Sequence, residues 1–452
     1  MEHVPVVIVG AGPTGITAAI MLARAGVECL VLDRFAEPYP LPRAVHFDDE
    51  VFRIFAGLGL AGELRAISRP APGMQLVDPR LRVLAEFTRD PVGPHGFPQA
   101  NMFDQPDLER LLRAELRRLP RATIRGKIEV YAVEQPIGEP ARVRYRSVDS
   151  GVEGEVRAAA VLGCDGANSV VRSAIGAGWE DLGFEQRWLV VDATSTQPLD
   201  AYDGVQQVCD PTRAATFMMV TPGRYRWEFR LRPGLLEEPV AELVRPWLRG
   251  VDPAALTVLR RAEYTFRGAV ADRWREGRVF LLGDAAHLTP PFIGQGMCAG
   301  IRDAANLSWK LAMVLSGRAD DRLLATYERE RRPYAKTMIR MATLIGWVMT
   351  GGSRRTAPLR RTLLRTVTRL PGAEQAATTV TWPAFGRGPL VGRGGGRLCP
   401  AGLDPGLGDG FTLLRPGTRG ALLIRPDRIV AAAGRHADPG MLSRGGIAVS
   451  GL

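Results

Sequence analysis

Two glycine-rich stretches hold the residues best suited to work on a bound ligand. In the first, Gly10-Ala11-Gly12-Pro13-Thr14-Gly15 follows the apolar run Pro5–Val9, and Asp33 closes a second apolar run, Cys29–Leu32. In the second, Val279–Leu282 leads into Gly283-Asp284-Ala285-Ala286-His287, the rigid pair Pro290-Pro291, and Gly294-Gln295-Gly296-Met297. Glycines at a helix start let a ligand touch the first backbone N–H groups, which have no partner inside the helix. The dipole at that end favours negative charge. An acid at the carboxyl end of a strand accepts bonds from hydroxyls, so Asp33 suits a ribose and Asp284 a sugar or ribityl chain. Together these parts suit a phosphorylated, polyhydroxylated ligand beside a ring that becomes anionic.

The elements that must position these residues are strand–turn–helix units. Around Gly10 the G-x-G-x-x-G fingerprint has its strand, its Ala- and Leu-rich helix to Arg24 and its acid about twenty residues on. Gly10 permits the tight turn, Gly12 lets the backbone approach a pyrophosphate, and Gly15 lets the helix pack on the strand. That motif alone leaves NAD and FAD open. Strands over 142–146 and 155–162 lead to a third turn, Gly163-Cys164-Asp165-Gly166, with Ser169 and Arg172 beyond it. From 178 to 267 the chain reads as strands without phosphate glycines. There 216–220 and 225–231 form a hairpin, with Tyr225, Trp227, Phe229 and Leu231 on one face and Arg226, Glu228 and Arg230 on the other.

The run from Gly283 through Gly300-Ile301-Arg302-Asp303-Ala304 to Asn306-Leu307 and Trp309-Lys310-Leu311 resembles the second flavin motif of the single-component FAD-dependent aromatic hydroxylases, which share the p-hydroxybenzoate hydroxylase fold. The resemblance implies an α/β chain. A Rossmann-like FAD-binding domain takes 1–73, 100–177 and 268–345, and an inserted β-sheet-rich substrate domain takes 74–99 and 178–267. A C-terminal helix and a truncated thioredoxin-like appendage take 346–452, the helix being the amphipathic segment 354–370. The resemblance places Asp284 on the ribityl or pyrophosphate part of FAD, and the N–H groups near Gly296 and Met297 on the ring edge. It places Arg43 against pyrophosphate or flavin, Gln105 on phosphate or ribityl oxygens and Asp165 in the turn beside the pyrophosphate. Arg34, Pro291 and Gly294 complete the FAD set, and His46, Tyr225, Trp227 and Pro291 are candidates for the pocket. His287 reads as structural, and Glu109 as a surface or dipole-compensating residue. No catalytic side chain is assigned, because the cofactor carries the difficult chemistry.

The implied reaction uses NAD(P)H, bound transiently, and O₂ to hydroxylate a phenolic or polyketide-type ring through a flavin C4a-hydroperoxide. The alternatives are a Baeyer–Villiger or antibiotic-inactivating monooxygenase, or a catalytically idle flavin- or aromatic-binding protein. At 452 residues the chain is long enough for two or three cores. Its net charge of +11 comes almost wholly from arginine, with only Lys127, Lys310 and Lys336 as lysines. No nucleic-acid-binding motif accompanies that charge, so no nucleic-acid partner is expected. Five widely spaced cysteines without C-x-x-C suggest neither a disulfide framework nor a metal site. A cytoplasmic monomer or homodimer without a secretion signal or membrane span is expected.

Overall fold

The computed structural model describes residues 2–351, 383–408, 410–415, 421–445 and 447. The amphipathic segment expected at 354–370 lies outside the described residues. Two eight-stranded sheets organise the chain. The first has a parallel centre, ordered Val279–Leu281, Glu153–Gly163, Glu2–Val9, Cys29–Leu32 and Ala122–Arg125. Its central strands are buried on both faces, which is why they read as continuous apolar runs and not as alternating ones. Helix Pro13–Arg24 joins Glu2–Val9 to Cys29–Leu32, and helices Gln105–Arg117 and Gly296–Leu315 pack with it into the same core.

The second sheet is built mainly from antiparallel strands, with Trp179–Ser195, Arg224–Arg230 and Ala215–Thr221 at its centre. Strands Gly73–Val77 and Val83–Thr88 extend it from a distant part of the chain. Its hairpin residues Tyr225, Trp227 and Phe229 pack beneath helix Val240–Leu248, against Leu243, Val244 and Trp247. This corrects the pocket assignment of Tyr225 and Trp227. They are 1% and 0% exposed, and the helix covers their face. The opposite face, carrying Arg226, Glu228 and Arg230, turns towards the first sheet's loops.

Helix Gly296–Leu315 ends before Gly317 at φ 72°, and Ala325–Thr350 begins afresh. Beyond it, Thr412–Leu414, Leu422–Ile424 and Val430–Ala433 form an antiparallel three-stranded sheet. This piece is tied to the main body by buried charge. Arg425, fully buried, bonds both Glu330 oxygens at 2.8 Å, and Lys310 reaches Glu330 at 2.8 Å. From the main body, Arg53 also donates to Asp404 and to the Cys399 carbonyl of the C-terminal region.

Candidate functional site

Register brings the three glycine turns together. Val9 pairs with Gly163, and Gly163 with Leu281, so three neighbouring parallel strands end level with one another. Each then enters its turn: Gly10-Ala11-Gly12, Cys164-Asp165-Gly166 and Gly283-Asp284. The carboxyl ends of parallel strands are where an open α/β sheet binds its ligands. The turns also touch. A Cβ at Gly10 would lie 2.4 Å from the Cys164 carbonyl oxygen, and one at Gly300 would lie 2.2 Å from Thr14 Oγ1. Arg172, beyond the third turn, donates to the Ala285 carbonyl at 3.3 Å.

The glycines divide into two kinds. Gly15 is a packing residue, since a Cβ there would sit 2.0 Å from the Gly10 carbonyl oxygen. Gly12, Gly166 and Gly296 border open space, where an added Cβ meets nothing within 4 Å. Gly12 precedes helix Pro13–Arg24 and Gly296 opens helix Gly296–Leu315, and no side chain caps either helix. Two uncapped helix starts with bare glycine beside a crevice are what an anionic dinucleotide requires. The residues present therefore fit FAD.

Asp284 stands exposed in the turn that follows Val279–Leu281. Its carboxylate is reachable by water although protein surrounds it, and that surrounding protein pushes its pKa up while His287 and Arg43 oppose the rise. Its turn is held by Asp303, which is fully buried and was not expected from the sequence to take part. Asp303 accepts from Gly283 N at 3.0 Å, His287 Nε2 at 2.8 Å and Arg331 Nε at 2.7 Å. Burial favours its neutral form, but Arg331 and His287 outweigh it and keep the carboxyl below its usual range. His287, as expected, is a buried support for the turn and lies off the crevice.

The remaining predicted residues fall into supports and walls. Asp33 accepts from Ala11 N at 2.6 Å and Phe35 N at 2.7 Å, so its carboxylate also straps the first glycine turn. Arg34 is exposed, 4.9 Å over the Phe35 ring. Gln105, expected on the cofactor, bonds within the protein. Its Oε1 accepts from Arg43 N at 2.9 Å and Ala44 N at 2.7 Å, and its Nε2 donates to Glu109 at 2.7 Å. It is a clamp on the loop carrying Arg43, and Glu109, read from sequence as a surface or dipole-compensating residue, is its buried anchor. Asp165 accepts from Ser169 Oγ at 2.5 Å and Val171 N at 3.1 Å, which fixes the third turn.

Gly294 adopts φ 61°, a conformation that favours glycine, and a Cβ there would lie 2.8 Å from His46 Nδ1. His46 therefore packs under the Gly294–Met297 loop, and burial lowers its pKa. Met297 is partly buried at the helix start, and Pro291 opens a turn whose Phe292 packs edge-on against Phe184 and Trp188. Arg302 supports the same loop from below, donating to Gln295 Oε1 at 2.8 Å and pairing with Asp48 and Glu50. A long side chain that is fully buried in charge pairs gives no local sequence signal, so Arg302 read only as part of a motif.

The fold and crevice together define a flavin-binding protein of the two-sheet kind. Residues 3–342 match the family described as FAD binding domain, and the chain belongs to that family. A probable NADH-specific resorcinol 4-hydroxylase of Rhodococcus jostii (strain RHA1) is 39% identical over 352 residues, 77% of this chain and 66% of that protein. The chain thus spans just under two thirds of that relative's length. A 3-(3-hydroxy-phenyl)propionate/3-hydroxycinnamic acid hydroxylase of Burkholderia cenocepacia (strain HI2424) is 36% identical over 399 residues, 85% of this chain and 72% of that protein. Among solved structures, the rebeccamycin biosynthetic enzyme RebC with reduced flavin superposes with a TM-score of 0.81 at 24% identity, over 98% of this chain and 99% of that one. Among the described residues no helix is long and apolar enough to cross a membrane.

Proposed function

We propose that the chain is an FAD-dependent monooxygenase that uses NAD(P)H and O₂ to hydroxylate a phenolic ring. The observation that carries this reading is the level ending of three parallel strands in glycine turns, with Gly12, Gly166 and, at the start of the following helix, Gly296 each bordering open space. The names of the two relatives support phenolic substrates, and the first supports NADH. In this reading Gly10, Gly12, Asp33 and Arg34 hold the adenosine and pyrophosphate end, with Asp165 shaping the adjoining turn. Arg43 lies by the pyrophosphate, Asp284 takes ribityl hydroxyls, and the N–H groups of Gly296 and Met297 face the ring edge.

Bound there, FAD supplies the redox chemistry that activates oxygen. The protein's own work is to hold and to exclude. Unpartnered N–H groups at the start of Gly296–Leu315 stabilise negative charge developing on the ring. Pro291, Phe292, Phe184 and Trp188 form an apolar wall that keeps water away. The boundaries 1–73, 100–177 and 268–345 for the FAD domain, and 74–99 and 178–267 for the substrate domain, belong to the same proposal, supported by how the strands divide between the two sheets. Five free thiols favour a reducing, cytoplasmic setting.

The test is purification and assay. The protein should be yellow, release one FAD per chain, and consume NADH faster when resorcinol is added, giving a product heavier by one oxygen atom. A colourless protein that takes up no FAD ends this reading. A flavoprotein whose NADH oxidation ignores every phenol tried refutes the hydroxylase assignment.

A further inference from the structure

The second sheet carries a buried carboxylate with no partner on the face turned to the crevice, and we propose that Glu228 selects the substrate there by accepting a hydrogen bond from a ring hydroxyl of a neutral phenol. This deepens the proposed function and rests on it. Glu228 is 7% exposed, and among the described residues no hydrogen bond or ion pair reaches its carboxylate. Alternation puts it on the opposite face from Trp227 and Phe229, and so on the face of Arg226.

Contacts at both ends fix where that face looks. At one end Arg226 Nη1 donates to the Arg43 carbonyl at 2.9 Å, and Arg260 Nη2 donates to the Pro42 carbonyl at 2.7 Å. At the other end Trp188, paired across from Arg230, meets the Phe292 ring at 6.0 Å. Glu228 stands between them, paired with Val190 on one side and Thr216 on the other. It therefore lies on the sheet face between the Arg43 loop and the Pro291–Ile293 turn.

Its neighbours explain why a ligand is wanted. Thr216 directs its hydroxyl to Gln207 Oε1 at 2.9 Å, so it has no hydrogen left to donate. Arg226 and Arg260 turn their guanidinium groups on Asp192 and on the Pro42–Arg43 carbonyls. Two cations against Asp192 leave one surplus positive charge beside Glu228. Burial pushes the Glu228 carboxyl up, with Asp192 adding to the rise, while Arg226 and Arg260 oppose it. With no protein donor on it, the Glu228 carboxylate keeps its acceptor capacity for a ligand, and a phenolic O–H fills it. A carboxylate on the ring at this position would meet a like charge instead.

The experiment uses FAD-replete wild type, Glu228→Gln and Glu228→Leu, with resorcinol and 3-hydroxybenzoate as probes. Binding is read from the flavin difference spectrum, and KM and kcat from NADH oxidation. Glu228→Leu should weaken resorcinol about tenfold or more, as expected for a lost hydrogen bond to a charged group. Glu228→Gln should weaken resorcinol less and tighten 3-hydroxybenzoate, because the like charge is gone. Opposite movement of the two ligands is the signature, since a merely structural role moves both the same way. Unchanged affinities, parallel losses, or loss of FAD from Glu228→Gln would each overturn the proposal. A wild-type flavin that responds to no phenol fails the hydroxylase reading itself.

Discussion

Gly12→Ala separates a ligand-facing glycine from a packing one. Gly12 has φ −72°, open to any residue, and its added Cβ meets nothing within 4 Å. In the protein without cofactor, two small terms oppose each other. Loss of unfolded-chain freedom stabilises by about 0.4–1 kcal/mol, and alanine as a helix N-cap costs about 0.5 kcal/mol or more. Apoprotein stability should therefore change by less than about 1 kcal/mol. The methyl group instead enters the space assigned to a pyrophosphate. Overpacking of about 1–3 kcal/mol corresponds to a Kd for FAD weaker by roughly 5- to 150-fold. Gly15→Ala is the control, because its methyl meets the Gly10 carbonyl oxygen at 2.0 Å and no cofactor is needed for the clash. It should destabilise the apoprotein itself. The assay is quenching of FAD fluorescence on titration with apoprotein, beside thermal melts of the same samples. Wild-type affinity in Gly12→Ala, or an apoprotein melt as damaged as that of Gly15→Ala, would refute the reasoning.

Three further predictions follow from particular contacts. Asp49 is buried, and burial with the like charges of Asp48 and Glu50 raises its carboxyl to about 7. Between about pH 4 and 7 the folded chain keeps a proton that the unfolded chain has released, so stability falls as pH rises through that window, by at most roughly 4 kcal/mol. Asp49→Asn should thus gain stability relative to wild type at pH 8 but not at pH 4; urea midpoints giving one constant difference at both pH values would contradict this. Glu330 is held down to about 2 by Arg425 and Lys310, against the burial that would raise it. Glu330→Gln leaves those two buried cations under-compensated and should cost about 3–5 kcal/mol, with limited proteolysis cutting the C-terminal sheet free. Retention of that sheet at wild-type resistance would show that the charge cluster does not hold it. Tyr225 accepts from Leu199 N at 3.1 Å within the core. Tyr225→Phe should cost about 1–3 kcal/mol and leave KM unchanged; a raised KM at normal stability would return Tyr225 to the pocket.

What the sequence by itself determined is local: the three turns, each within one strand–turn–helix unit, where glycine spacing and a flanking apolar run specify the backbone. Alternation likewise determined that Tyr225, Trp227 and Phe229 share a face. It did not determine which face looks to the crevice, because that depends on helix Val240–Leu248 folding back over the aromatic side. Gln105 shows the same limit. Its position at a helix start was legible, but two backbone N–H groups sixty residues away had already claimed its oxygen. Asp303 and Arg302 became supports of the Gly283 and Gly294 turns only through partners at 283, 287, 331, 48 and 50. Buried charge is stable only where its counter-charge is brought to it, and tertiary packing alone decides where that is.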